Sequence, residues 1–302
     1  MEKKGLLAPL DSQQVWRQFQ RSVDSTDPLS AEISNRLLER LDYVLLNPAS
    51  LLDLGAGGNA CSTAALQARY PKSLVIALDA VPQRLPQPKN SRCPDWLATL
   101  LSRRKPLSLA GDARHLPFAD HSQNLVWSNL MLPWVNDLSS TFSEIHRVLA
   151  PNGLLLFSTL GPATLQELSA CFNDSCPHTH LFPDMHDLGD ALRAQGFSDP
   201  VMDMEMITVT YGALSTLIHD LRQAAGTCLH TQRHRGLRGK SFSARLEAAW
   251  NARCPTSGAN PVSFEIVYGH AWKNNPSEQS PTEVHDEPLR FHPKRPSSLD
   301  QE

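Results

Sequence analysis

Three short segments carry residues whose types and spacing could do chemistry. The run Leu51-Leu52-Asp53-Leu54-Gly55-Ala56-Gly57-Gly58 ends an apolar stretch in a glycine-rich turn. Glycine reaches positive φ cheaply and lets a ligand approach the backbone. Asp53, Gly55, Ala56 and Gly57 are therefore candidate ligand-binding positions. Asp79 closes a second apolar run, LVIALD, where a carboxylate can accept from both hydroxyls of a ribose. Asp112 follows a third run, in Gly111-Asp112-Ala113. It can reach an adenine amino group, with the Ala113 amide beside it. Asn129, at the end of a fourth run, joins the set. Each feature has a plain alternative: an ordinary strand–helix turn, or a helix cap. The glycine turn followed in order by two acids describes a nucleoside pocket. The turn is not GxGxxG, and no Lys-Ser/Thr follows it. Without a diphosphate site, the pocket suits S-adenosylmethionine better than NAD.

These residues need a sheet to hold them. Short apolar runs at Ser50–Leu54, Leu74–Leu78, Leu107–Ala110, Leu125–Ser128 and Leu154–Thr159 predict strands, the last opened by the turn Pro151-Asn152-Gly153. Helical segments fall between them, at Ser62–Tyr70 and Leu138–Leu149. Alternation of this kind predicts parallel strands in a doubly wound, Rossmann-like α/β sheet with helices on both faces. Ligands then sit at the carboxyl ends of the strands. Ahead of the sheet, apolar spacing from Val15 to Leu46 predicts two helices separated at Asp24–Pro28. Trp16 and Phe19 on the first read as a buried helix face, with a cover over the ligand as the alternative. Beyond the fifth strand come helices at Pro162–Phe172, Met185–Gln195, Leu214–Ala225 and Ala244–Asn251. Strands are expected near Val201–Tyr211 and at Phe264–Tyr268. The segment Pro82–Lys105, rich in proline and arginine, reads as an insertion.

The expected organisation is a leader over 1–14, one domain over 15–272, and a polar tail over 273–302 expected to be disordered. The domain divides into a cofactor half, about 47–160, and a substrate half, about 161–272. A chain of 302 residues with 41% apolar and 20% charged residues is ordinary for a globular protein, and its net charge of −3 is unlike a general nucleic-acid binder. The six cysteines show no CxxC spacing. Together with the lack of a long apolar segment, this predicts a cytoplasmic setting and no membrane partner, while the net charge predicts no nucleic acid. Cys171, Cys176, His178 and His180 are irregularly spaced, with no second ligand pair, so no metal is expected. A monomer is expected.

The run from Leu51 to about Phe157 resembles class I S-adenosylmethionine-dependent methyltransferases, through LLDLGAGG, IALD, GDARHLPFAD, LVWSNLMLPWVND and EIHRVLAPNGLLLFST. Further on, FSTLGPATLQEL, FPDMHDLGDALRAQGF, DPVMDMEMITVTY and FEIVYGHAWK are similar to the malonyl-acyl-carrier-protein O-methyltransferases of biotin synthesis. The resemblance spans roughly Val15–Lys273. It implies helical insertions on the substrate side and methyl transfer to the free carboxylate of malonyl-acyl-carrier protein, or of malonyl-CoA. Other implied activities are methylation of another small carboxylate or a quinone precursor, and a fold that has lost turnover. A carboxylate is already ionised at neutral pH, so positioning replaces acid–base catalysis and no single catalytic residue is expected. Arg222 is a candidate partner for the malonyl carboxylate. The basic run containing Arg233, Arg235, Arg238 and Lys240 is a candidate surface for an acidic carrier, or a solvated loop. Trp134 is a candidate pocket wall, with ordinary packing as the alternative, and His178–Phe182 a loop near the substrate. The chain departs from the family pattern at Thr26, Asn59, Pro133, Ala163 and Cys228, which leaves weakened activity or a shifted substrate open.

Overall fold

The computed structural model describes residues 9–22, 27–57, 61–85, 105–224, 226–254 and 258–275. Thr26, Gly58, Asn59, most of Pro82–Lys105, residues 1–8 of the leader and nearly all of the tail lie outside them.

Among the described residues, seven strands form one sheet in the order β3-β2-β1-β4-β5-β7-β6. They are β1 (Ser50–Leu54), β2 (Leu74–Asp79), β3 (Leu107–Ala110), β4 (Gln123–Asn129), β5 (Leu149–Leu160), β6 (Phe197–Tyr211) and β7 (Asn260–Lys273). The helices are α1 (Ser12–Arg21), α2 (Pro28–Arg40), α3 (Cys61–Arg69), α4 (Leu138–Val148), α5 (Gln166–Ser169), α6 (Met185–Ala194), α7 (Leu214–Gln223) and α8 (Lys240–Asn251). The strand order reverses at β1, which pairs in parallel with both β2 and β4. A crevice opens at such a switch point.

Alternation along each strand supplies the two cores. Leu52, Leu54, Ile76, Leu78, Val126 and Phe157 point to one face, against Phe142 and Ile145 of α4. Leu51, Val75, Leu125, Trp127 and Leu156 point to the other, against Ile33, Leu37 and Leu41 of the α2 segment. α2 begins well for local reasons: Asp27 accepts the Leu29 amide at 3.1 Å, and Pro28 occupies the first turn.

One expectation is extended and two are corrected. The parallel arrangement holds for β1 to β5, but β7 runs antiparallel to both β5 and β6, so the sheet is mixed. The turn at Pro151–Gly153 does not open β5. Gln123 pairs with Leu149 and Leu125 with Leu154, so the turn is an excursion within a longer strand, with Asn152 at φ 59°. The helix expected over Pro162–Phe172 is reduced to one turn, Gln166–Ser169, because Leu165 sits at φ 60° and the Ala163 amide donates to Glu265 on β7 at 2.7 Å.

Candidate functional site

A cavity of about 460 Å³ opens over the carboxyl ends of β1, β2, β4 and β5. Its wall includes Gly55, Ala56, Gly57, Asp79, Asp112, Ala113, Asn129 and Trp134. The structure thus gathers at one place residues that the sequence scatters over about eighty positions.

The glycine turn is held by its own backbone. The amides of Gly55 and Ala56 both donate to the Leu78 carbonyl, at 2.8 and 3.1 Å. Gly55 has φ +78°, and a Cβ there would lie 2.5 Å from the Met131 Cβ. Only glycine fits that contact and that backbone angle.

Asp79 lies at the end of β2 with its side chain mostly buried. Its Oδ1 accepts the Val81 amide at 2.8 Å and its Oδ2 the Gly57 amide at 3.1 Å. An ionised carboxylate offers about four acceptor positions, so about two remain for a ligand. Burial pushes this carboxyl above its ordinary value, while the Val81 amide and the Arg84 guanidinium pull it back.

Asp53 does not reach the cavity wall. It is buried behind the turn, where its Oδ2 accepts the hydroxyls of Ser62 and Thr63 at 2.8 and 2.5 Å. This ties β1 to the start of α3. Burial pushes its carboxyl up to about 6, against the pull of those hydroxyls and with a smaller upward push from Asp79.

Asp112 reaches the wall, but its carboxylate is paired with Arg114. The closest approach, Nη2 to Oδ2, is 2.7 Å, and Nε lies 3.1 Å from Oδ1. That pair holds the carboxyl below its ordinary value. Asn129 accepts the Ser158 hydroxyl at 2.7 Å and donates to the Ser30 carbonyl at 3.1 Å, so it pins α2 across β4.

The far wall is aromatic. Trp134 meets Phe19 edge-on at 5.2 Å and His180 edge-on at 5.0 Å, and Phe182 lies 6.0 Å from His180. His180 is buried, which lowers its pKa, and its Nε2 donates to the Thr227 carbonyl at 2.9 Å. Its ring is therefore neutral near pH 7. The His178–Phe182 loop supplies part of this wall, through His180 and Phe182.

The expected burial of Trp16 and Phe19 is corrected. α1 has no buried residue, Trp16 is 43% exposed, and both aromatics line the cavity. α1 is a cover, held at its start by Asn136, whose side chain exchanges hydrogen bonds with the Leu10 amide and carbonyl at 2.7 and 3.0 Å. A face of aromatics at helical spacing looks the same in sequence whether it meets a core or a cavity.

Arg222 is exposed on α7 and is not among the residues lining the cavity. Arg84 and Arg114 are the arginines on the wall among the described residues. Arg84 was not singled out from the sequence. Its position five residues after the strand-ending Asp79 was the available signal. The basic run divides in two. Arg233 reaches Asp11 at 3.4 Å, and Arg238 reaches Asp174 at 2.8 Å while lying 4.1 Å over the Phe242 ring. Arg235, though also 3.4 Å from Asp11, is 64% exposed, and Lys240 and Leu237 are exposed beside it. His178 is bound by Asp174 at 2.6 Å and stacks on Phe172 at 3.8 Å. No described helix is long and apolar enough to cross a membrane.

A family model described as a methyltransferase domain matches residues 52–157. Two relatives are each named malonyl-acyl-carrier-protein O-methyltransferase. The one from Gallionella capsiferriformans is 41% identical, over 88% of this chain and 92% of its own length. The one from Methylovorus sp. is 39% identical, over 96% and 97%. Among solved structures, the YcgJ protein of Bacillus subtilis matches with a TM-score of 0.51 at 15% identity, over 80% of this chain and 99% of that one. With the strand order, these similarities identify the sheet as the class I, Rossmann-like methyltransferase fold.

Proposed function

The chain belongs to the malonyl-acyl-carrier-protein O-methyltransferase family, and we propose on that premise that it methylates the free carboxylate of malonyl-acyl-carrier protein, using S-adenosylmethionine. The product is the methyl ester that starts biotin synthesis. The observation that carries the cofactor assignment is Asp79: a cavity carboxylate with two acceptor positions spare, next to a turn where a side chain on Gly55 would strike Met131.

The residues present fit the cofactor. Asp79 would take the ribose hydroxyls, and Gly55–Gly57 leave room for close approach of the ligand to the backbone. Asp112 and the Ala113 amide would read the adenine edge, with Arg114 giving up part of its hold on Asp112. When bound, the cofactor supplies an activated methyl group, whose bond to sulfur breaks as the substrate oxygen takes it. The protein's own part is placement. The malonyl carboxylate needs no general base, since it is ionised at neutral pH. It must be stripped of water and held in line. Trp134, His180 and Phe182 present an apolar, uncharged wall for that purpose, and α1 covers the cavity. Neutral His180 adds no charge that would compete for the substrate carboxylate.

Carrier docking is assigned to the exposed part of the basic run, Arg235 and Lys240. Its loop begins beside the cavity, where Gly226 lines the wall and Thr227 holds His180. Opposite charge steers such encounters. The test is mass spectrometry of malonyl-acyl-carrier protein after incubation with the chain and S-adenosylmethionine. The expected result is the mass of one added methylene, confined to the malonyl group. No mass gain in a preparation that binds the cofactor would reject the substrate.

A further inference from the structure

Arg84 ends a short turn, Pro82–Arg84, directly after β2. Its guanidinium meets three parts of the fold at one point. Nε lies 3.9 Å from Asp79 Oδ2. Nη1 donates to the Ser22 hydroxyl, just past the end of α1, at 2.9 Å. The guanidinium carbon stands 4.7 Å over the Phe19 ring of α1, and Nη2 would be 3.3 Å from a Cβ on Gly57. The side chain is only 17% exposed. Burying a guanidinium is costly unless charge and hydrogen bonds compensate it, and all of these partners belong to the cofactor end of the cavity or its cover.

The separation from Asp79 matters. At 3.9 Å the guanidinium attracts the carboxylate without occupying one of its acceptor positions. The backbone amides of Val81 and Gly57 use two of these, so those needed for a diol stay free. Among the described residues, α1 is also tied by the Phe19–Trp134 ring contact. Asn136 and the Asp11–Leu229 backbone bond secure its start, and Gln18 accepts from the Thr227 hydroxyl at 2.9 Å.

We propose that Arg84 is a positioning residue of the cofactor site, clamping the end of α1 over the cavity and aligning the Asp79 carboxylate for the ribose. The cofactor part of this inference rests on the function proposed above; the clamp on α1 does not. Arg84 touches α1 through a ring face and a hydroxyl, so the clamp needs both its charge and its planar fork. It also pulls the Asp79 carboxyl down, against the larger upward push of burial. Among the described residues, Arg84 is the charged group that opposes protonation of Asp79, alongside the amides of Val81 and Gly57.

The test compares Arg84→Met and Arg84→Lys with the unaltered chain. Hydrogen exchange read by mass spectrometry, without cofactor, should show the α1 amides exchanging about tenfold faster in R84M, with β1, β4 and β5 unchanged. Calorimetry should show S-adenosylmethionine and its demethylated product both bound about tenfold more weakly by R84M. R84K should recover part of the affinity. The acid limb of cofactor binding should move to higher pH in R84M, because Asp79 then protonates more readily. Unchanged α1 exchange would overturn the clamp whether or not cofactor binds. Faster exchange with unaltered affinity would reduce Arg84 to a structural contact. A loss confined to the charged cofactor, with the product unaffected, would mean the guanidinium acts on the sulfonium and would also overturn the proposal. Failure of the unaltered chain to bind either ligand would sink the cofactor reading, leaving exchange to decide the clamp.

Discussion

Replacing Asp79 by alanine is the most direct probe of the site. The carboxylate already accepts two backbone amides, at 2.8 and 3.1 Å, and about two positions remain. A hydrogen bond to a charged acceptor contributes about 1.5–3 kcal/mol. Losing the two assigned to the ribose therefore weakens binding by at least about 3 kcal/mol, or roughly 100-fold in Kd. The fold should lose much less. Gly57 and Val81 both line the cavity, so water entering the space left by the carboxylate can take up their amides, and the cost of burying that carboxylate disappears. A change of about 1 kcal/mol, a few degrees in Tm, is expected. Isothermal calorimetry with S-adenosylmethionine and a thermal melt on the same preparation separate the two effects. Asp79→Asn keeps the shape but not the charge, and should fall between the unaltered chain and alanine. A Kd within about threefold of the unaltered chain, in a variant that melts cooperatively, would refute the ribose assignment.

Asp53→Asn should change how stability depends on pH. Burial pushes Asp53 up to about 6, so the folded chain holds this proton more tightly than the unfolded chain does. Between about pH 4 and 6 the folded state binds more protons, and stability falls as pH rises, by about 3 kcal/mol from this group. The asparagine variant should lose that slope; melts across this range that keep the same slope would remove Asp53 as its source. The double variant Arg235→Glu, Lys240→Glu should raise KM for malonyl-acyl-carrier protein about tenfold and leave cofactor Kd unchanged. If KM stays constant at low ionic strength, where charge steering is strongest, this face is not the docking surface.

Much of the scaffold was legible because it is local. Residues 50–54, 74–79 and 107–110 are apolar runs closed by a glycine turn or an acid, and a five-residue window carries that information. α2 announces itself through Asp27, Pro28 and the spacing of Ile33, Leu37 and Leu41. The strand directions after residue 160 were not legible. Alternation from Val201 to Tyr211 marks a strand, but nothing within it says that β7 will lie between it and β5, pointing the other way. The shortened helix after Gly161 depends on Glu265, about a hundred residues later, capturing the Ala163 amide.

The sequence by itself determined that a glycine turn, Asp79 and Asp112 follow successive strands, and so that these residues meet in one pocket. That follows from short-range order: a parallel sheet carries each strand's carboxyl end to the same edge. Only the tertiary structure decided which side chains face that edge. It set Asp53 behind the turn rather than in the cavity, left Arg222 off the wall, and turned Arg233 and Arg238 toward Asp11 and Asp174. It also laid α1 across the opening and closed it with Arg84. These outcomes depend on contacts between residues tens to hundreds of positions apart, which a local pattern does not encode.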